Sequence, residues 1–165
     1  MLEKLTNWLM EAGYDAILQK KSPQLPMDFI QMNLITEDES VYPSIVTLYN
    51  TEPGRELFAV PENAVLVHVV YQMPQEVTTE NYQNTTRLIN LINRSCPFPC
   101  FGYDEVDKKI YYRTVFPLGY TEEAKEEFLA AIDMIVEVLG VYGTGLELVS
   151  TGKATLEELF QTATS

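Results

Sequence analysis

The stretch Ala64-Val65-Leu66-Val67-His68-Val69-Val70-Tyr71-Gln72-Met73 decides the fold. It is dominated by β-branched and aromatic residues, which fit a pleated sheet. It stops at Pro74, and its unbroken apolar run from Ala64 to Tyr71 falls far short of the roughly 20 residues needed to span a bilayer. Because it is apolar on both faces, it is placed at the centre of a sheet, covered on either side.

Working upstream, Met27 to Ile35 alternates, with Ile30, Met32 and Leu34 facing one way and Asp28 at the strand entrance. Ser44 to Tyr49 reads as a second strand, with Pro43 at its start or on a sheet edge because proline cannot donate to a ladder. Glu37-Asp38-Glu39-Ser40 and Glu52-Pro53-Gly54-Arg55 read as turns, and Leu57 to Val60 as either a short extended piece or a loop. The chain opens on a helix whose stripe is Leu2, Leu5, Trp8, Leu9 and Ala12, stopped by Gly13. Lys20-Lys21-Ser22-Pro23 then links it to the strands.

Downstream, Thr78 or Thr79 is expected to cap a second helix carrying Tyr82, Leu88, Ile89, Leu91 and Ile92, which ends near Arg94. Phe98 to Tyr103 and Ile110 to Phe116 form a hairpin around Asp104–Lys109. Thr121 is expected to cap a third helix with Glu122 and Glu123 in its first turn, a stripe from Phe128 to Leu139, and its end near Gly140. A bend follows at Gly143-Thr144-Gly145. Thr155-Leu156-Glu157-Glu158 is a capping box opening a short terminal helix near 155–161. The expected class is α+β in the order α-βββ-α-ββ-α, one domain over residues 1–165, with helices packed on a mainly antiparallel sheet.

Acids outnumber bases by 24 to 11, for a net charge of −13. Such a surface repels phosphate backbones and anionic lipid, so neither nucleic acid nor membrane is an expected partner. Between Ser22 and Gln75 the only basic residue is Arg55. The N-terminus has no basic start followed by an apolar stretch, and a cytoplasmic location is expected. Cys96 and Cys100, in Cys-Pro-Phe-Pro-Cys, lack the spacing of a redox or zinc motif and read as reduced packing cysteines, the alternative being a local disulfide or redox-sensitive pair.

No catalytic constellation is visible. His68, the single histidine, lies mid-strand without a nucleophile beside it in the sequence, and reads as a hydrogen-bonded core or sheet-surface residue. Asp104-Glu105-Val106-Asp107 lacks the glycine and terminal glutamate of a calcium loop. Gly145 to Ala154 fails as a phosphate loop, since six residues separate its glycines and Ala154 has no hydroxyl. The expected protein is not an enzyme and uses no cofactor or metal.

What remains is an aromatic excess on one hairpin: Phe98, Phe101, Tyr103, Tyr111 and Tyr112. Alternation places about half of them on the opposite sheet face, where a self-dimer or a bound polypeptide would cover them. Glu122, Glu126 and Glu127 add an acidic face on the third helix.

The Leu2–Ala12 helix, the Val65–Met73 strand, the Leu88–Arg94 helix end, the Phe98–Phe116 hairpin, the Thr121–Leu139 helix and the trailing Gly152…Leu159 follow a familiar order. That order resembles the type III secretion chaperone-like fold, and within it the YbjN-like domains of bacteria with related cyanobacterial and plastid proteins. The resemblance implies a small, acidic, dimeric protein. Secretion chaperones of this kind bind extended partner segments along apolar patches, and YbjN-like proteins are described as sensory or regulatory. It carries over no catalytic residue. The expected function is a homodimeric protein-binding module, chaperone or regulatory adaptor, taking a basic or amphipathic segment in an acid-rimmed apolar groove on the aromatic hairpin and the amphipathic second and third helices, at Phe98, Phe101, Tyr103, Tyr111, Tyr112, Glu122, Glu126 and Glu127. The alternative is a small-molecule-sensing regulatory domain, which would need a closed apolar pocket.

Overall fold

Every strand neighbours its partner antiparallel in one six-stranded sheet of order β1-β2-β3-β4-β6-β5. The computed structural model describes residues 1–49, 60–96 and 101–163. Its elements are α1 (Leu2–Glu11), β1 (Ala16–Gln19), β2 (Phe29–Ile35), β3 (Val41–Tyr49), β4 (Ala64–Glu76), α2 (Tyr82–Ser95), β5 (Phe101–Asp104), β6 (Lys109–Gly119), α3 (Ala124–Ser150) and α4 (Leu156–Ala163). The class is α+β, as the hydrophobic periods indicate. Phe98, Cys100 and the stretch 57–59 lie outside the described residues.

β4 occupies the centre, flanked by β3 and β6. Val67 and Val69 are fully buried on one face, and Ala64 and Leu66 are buried on the other. α1 ends in a Schellman motif, in which Gly13 N–H donates to Met10 O and Tyr14 N–H to Leu9 O, with Gly13 at φ +92°. That left-handed position is where a side chain would be strained. At the terminal helix, Thr155 N–H donates to Glu158 Oε2 (2.7 Å) and Glu158 N–H to Thr155 Oγ1 (3.2 Å), the reciprocal pair of a capping box.

Four local expectations are corrected. β1 is an additional edge strand, paired to β2 from Ala16↔Met32 to Gln19↔Phe29. The residues at the N-caps of α2 and α3 are Asn81 and Glu123, neither with a side-chain capping bond, rather than Thr78, Thr79 or Thr121. Pro43 lies inside β3, opposite Asn33, just past the last β3 residue that pairs with β4, Ser44. Finally, α3 does not stop near Gly140 or bend at Gly143–Gly145 but runs unbroken to Ser150. The glycines there are notches for close packing: a Cβ on Gly143 would stand 2.3 Å from the Tyr42 hydroxyl, and one on Gly140 would stand 3.3 Å from Thr36.

Side-chain parity shows that the helices share one side. The core cluster takes Ile30, Met32 and Leu34 from β2, Val67, Val69 and Tyr71 from β4, and Ile110, Tyr112 and Leu118 from β6. These meet Leu5, Trp8 and Leu9 of α1, Leu88, Ile89 and Ile92 of α2, and Phe128, Ile132, Ile135 and Leu139 of α3. Phe128 sits at its middle, 6.2 Å from the Trp8 ring and 6.4 Å from Phe116. Cys96 is a free, buried thiol within this cluster.

Candidate interaction surfaces

Among the described residues, the sheet's other face carries no helix. Across it the register lines up Ile17, Gln31, Ile45, Val70 and Arg113 on five successive strands. Ile35 stands beside Val41, and Thr47, His68 and Val115 form a parallel row. Ile17, Ile35, Val41 and Ile45 are 55%, 56%, 52% and 42% exposed. Isolated apolar residues at a surface need no explanation, but a contiguous β-branched patch does. The strands contain only two carboxylates, Glu76 and Asp104, each the last residue of its strand.

His68 lies on this face with both ring nitrogens engaged. Arg113 Nε donates to Nε2 at 3.1 Å, so the ring proton resides on Nδ1, 3.3 Å from Thr47 Oγ1, which accepts it. Burial, and then the Arg113 charge, hold the imidazole below its usual pKa. Tyr49 meets the ring edge-on at 5.8 Å. The arrangement is that of a neutral, hydrogen-bonded sheet-surface histidine.

The aromatic hairpin is divided between the two faces. Phe101 and Tyr112 are buried and stack edge-to-face at 5.3 Å in the core. Tyr103, half-buried, rests against Tyr82 of α2 at 5.0 Å. Among the described aromatics of the hairpin, Tyr111 alone projects from the open face, its ring lying over Gly102, where a Cβ would come within 2.3 Å. Glu122, Glu126 and Glu127 are all exposed at the start of α3. They follow the far end of β6: Tyr111 and Gly119 are separated by eight residues of extended chain, about 26 Å at ~3.3 Å per residue. The aromatics and these acids therefore do not form one surface.

A different surface combines apolar and acidic character. α2, α3 and α4 enclose an open cleft of about 330 Å³, lined by Leu88, Leu91, Ile92, Val141, Gly145 and Leu159 among others. On the other side of Val141 a groove of about 500 Å³ runs between α3 (Val136, Glu137, Gly140) and the β2–β3 turn (Thr36, Glu37, Asp38). Val141 lines both and is 70% exposed. A hydrogen bond from the Thr36 hydroxyl, then one from Ser40 N–H, hold the Asp38 carboxyl below the usual range, so it is charged at neutral pH. By length and composition α3 is the one helix among the described residues apolar enough to cross a bilayer, and only 28% of its most apolar window is buried. Its inward residues are used by the core, and the uncovered remainder includes Met134 and Val141.

Of the described contact residues singled out individually from sequence, only Tyr111 lies on either surface, while the second and third helices, expected to contribute a groove, do line the cleft, and the third the groove beside Val141. The open face did leave a signal. Phe29, Ile35, Val41, Ile45 and Tyr49 make β2 and β3 apolar at the outward parity too, the pattern of strands covered on both sides.

No curated protein matches the chain. The family model described as "Putative bacterial sensory transduction regulator" matches residues 2–139, which takes in the whole sheet and α3 as far as Leu139. With its sheet and most of its helical layer inside that match, the chain belongs to the YbjN family.

Proposed function

We propose that this chain is a non-enzymatic, homodimeric protein-binding module, a chaperone or regulatory adaptor that takes an amphipathic, basic segment of another protein. The observation that carries this reading is the pair of hollows flanking Val141, apolar along their floor and edged by Glu37, Asp38 and Glu137. An amphipathic segment would lay its apolar side against Val136, Val141 and Leu88, with its cations toward the acids. The family's description as a sensory transduction regulator is compatible with a regulatory role. The test is a photo-crosslinking residue placed at position 141, compared with one at Val106 on the hairpin tip, which is 89% exposed. Position 141 is expected to trap a discrete partner peptide, lost at high salt. Crosslinking at 141 no richer than at 106 would sink the reading.

A second reading, small-molecule sensing, draws support from the cleft alone, whose ~330 Å³ falls at the small end of ligand pockets of roughly 300–1,000 Å³. Native mass spectrometry of the freshly purified protein tests it. A retained ligand released by Gly145→Phe would favour sensing over segment binding.

A further inference from the structure

We infer that a small polar pocket walled by Tyr42, Tyr71 and Glu147 is a binding site for a primary ammonium group, brought by the lysine side chain of a bound segment or by a free alkylamine. The pocket encloses about 190 Å³ between the start of β3, the later part of β4 and the α3 residues Gly143 and Glu147. The Tyr71 hydroxyl points to a ligand. Tyr71 is only 5% exposed, yet its Oη makes no hydrogen bond among the described residues. Nor is that oxygen sealed in, because the one fully enclosed side-chain N or O atom without a partner among those residues is Thr85 Oγ1. Oη therefore opens on the pocket that Tyr71 lines, where a ligand would relieve the cost of an unpaired, nearly buried hydroxyl.

The polar groups of the pocket select a cation. Glu147 can only accept, and Tyr42 donates its own proton to Leu139 O at 3.4 Å, so the Tyr42 oxygen offers lone pairs. Burial raises Tyr42; burial, then Tyr42 and Glu147, push Tyr71 up to about 12. Both are neutral hydroxyls at pH 7, and the charge of the site is that of Glu147. Among the described residues no lysine or arginine lines the pocket; Lys153, with its side chain 62% exposed, approaches Glu147 Oε1 at 3.5 Å from outside it. An ammonium brings three donors and no acceptor to two hydroxyl oxygens and one carboxylate, a better match than the five donors of a planar guanidinium fork. The pocket also follows the acid-edged groove along α3. Gly140 lines the groove, and Gly143 and Glu147, three and seven residues on along the same side of the helix, line the pocket. The assignment rests on the segment-binding reading for a lysine source and stands without it for a free amine.

The test is an NMR titration of the full chain, ring-labelled at tyrosine, with n-butylammonium, which is the lysine side chain without its backbone. Saturable shifts of the Tyr42 and Tyr71 ring signals are expected, with none from n-butanol, which lacks the charge, or tetramethylammonium, which lacks the N–H donors. Tyr71→Phe keeps the ring and should weaken binding about tenfold or more, read at Tyr42. Glu147→Gln, at a half-exposed position, should weaken it roughly three- to fivefold, with circular dichroism verifying both folds. No saturation, equal shifts from either control compound, or undiminished binding by both variants overturns the site. Crosslinking at position 141 then separates the sources. A partner displaced by n-butylammonium assigns the pocket to its lysine, and a partner left in place assigns it to a free amine. Saturation with nothing trapped at 141 upholds the pocket and sinks only the segment-binding reading.

Discussion

Replacing Gly143 by alanine pits two effects against each other on one helix. α3 passes through Gly143 in mid-run, where an unpacked glycine costs roughly 1 kcal/mol relative to alanine. By propensity alone the substitution would stabilise. The new Cβ, however, would stand 2.3 Å from the Tyr42 hydroxyl oxygen, 2.9 Å from Cζ and 3.0 Å from Cε1. Tyr42 is poorly placed to retreat. It is buried, its ring meets Tyr71 edge-on at 5.1 Å, and its hydroxyl donates to Leu139 O at 3.4 Å. A displacement of roughly 1 Å in such a packed site is overpacking, which costs about 1–3 kcal/mol, with about 1 kcal/mol more if the hydrogen bond breaks. The steric penalty wins, and the net expectation is a loss of about 1–3 kcal/mol.

Urea unfolding reads this as a fall in midpoint at unchanged slope, near 1 M for a loss of about 2 kcal/mol at a typical slope. Gly145→Ala, two residues along, is expected to move the other way. Its Cβ meets only Leu159, at 3.6 Å or more, an ordinary contact, so up to about 1 kcal/mol of propensity is gained. In a Tyr42→Leu background the Gly143→Ala penalty should vanish, giving a coupling free energy of opposite sign to the single-mutant effect. If Gly143→Ala raises the midpoint of the wild-type chain, α3 does not lie against Tyr42, and the bend read from Gly143-Thr144-Gly145 is restored.

Three further outcomes are expected. His68 should titrate below its ordinary value of about 6.5 in an NMR pH series, held down by burial and then by Arg113, and Arg113→Gln should move it upward. Since the unfolded imidazole takes its proton first, His68 contributes stability that is complete above about pH 6.5 and lost as pH falls; urea midpoints of wild type and His68→Gln should diverge there. Burial, then the neighbouring Tyr42, pushes Tyr71 up to about 12; its contribution is complete below about pH 10 and lost as pH rises toward 12, which ultraviolet phenolate titration against unfolding should register. Thr155→Ala removes one half of the capping box, so α4 should lose about 0.5–2 kcal/mol of local protection by hydrogen exchange while the sheet is unaffected.

The parts of the fold legible in the sequence are those with local determinants. The central position of Ala64–Met73 follows from its two apolar faces, the stop at Gly13 from backbone freedom, and the terminal helix from Thr155 and Glu158 three positions apart in a box. β1 was not legible, because Ala16–Gln19 is too short to show a period and is defined only by pairing with β2. The continuity of α3 depends on Tyr42, whose hydroxyl bonds a carbonyl 97 residues away. Alternation separated Tyr111 from Tyr112 in the sequence, but which parity faces helices is decided by tertiary packing. For that reason Phe101 and Tyr112, singled out as contact residues, lie in the core. The hollow beside Val141 joins a turn at Thr36–Asp38 to a helix a hundred residues later, and no local pattern announces it.

The two surfaces differ in how the family match covers them. The open sheet face, apolar at Ile17, Ile45 and Val70 with Asp15 and Asp107 bonded to its Asn33 and Gln72, lies inside the residues matched by the family. The cleft is built half from α2, within the match, and half from Val141, Tyr142, Gly145, Leu159 and Phe160, all beyond residue 139 where the match ends. The family match therefore covers the α2 wall of the cleft but not its α4 wall. Truncation before Leu156 would remove the α4 wall of the cleft while leaving Ile17, Ile45 and Val70 in place. Under the reading developed here, the truncated chain keeps its folded sheet, as circular dichroism would register, and loses the segment partner that position 141 traps, whereas a partner still trapped by the truncated chain would refute the cleft as its seat.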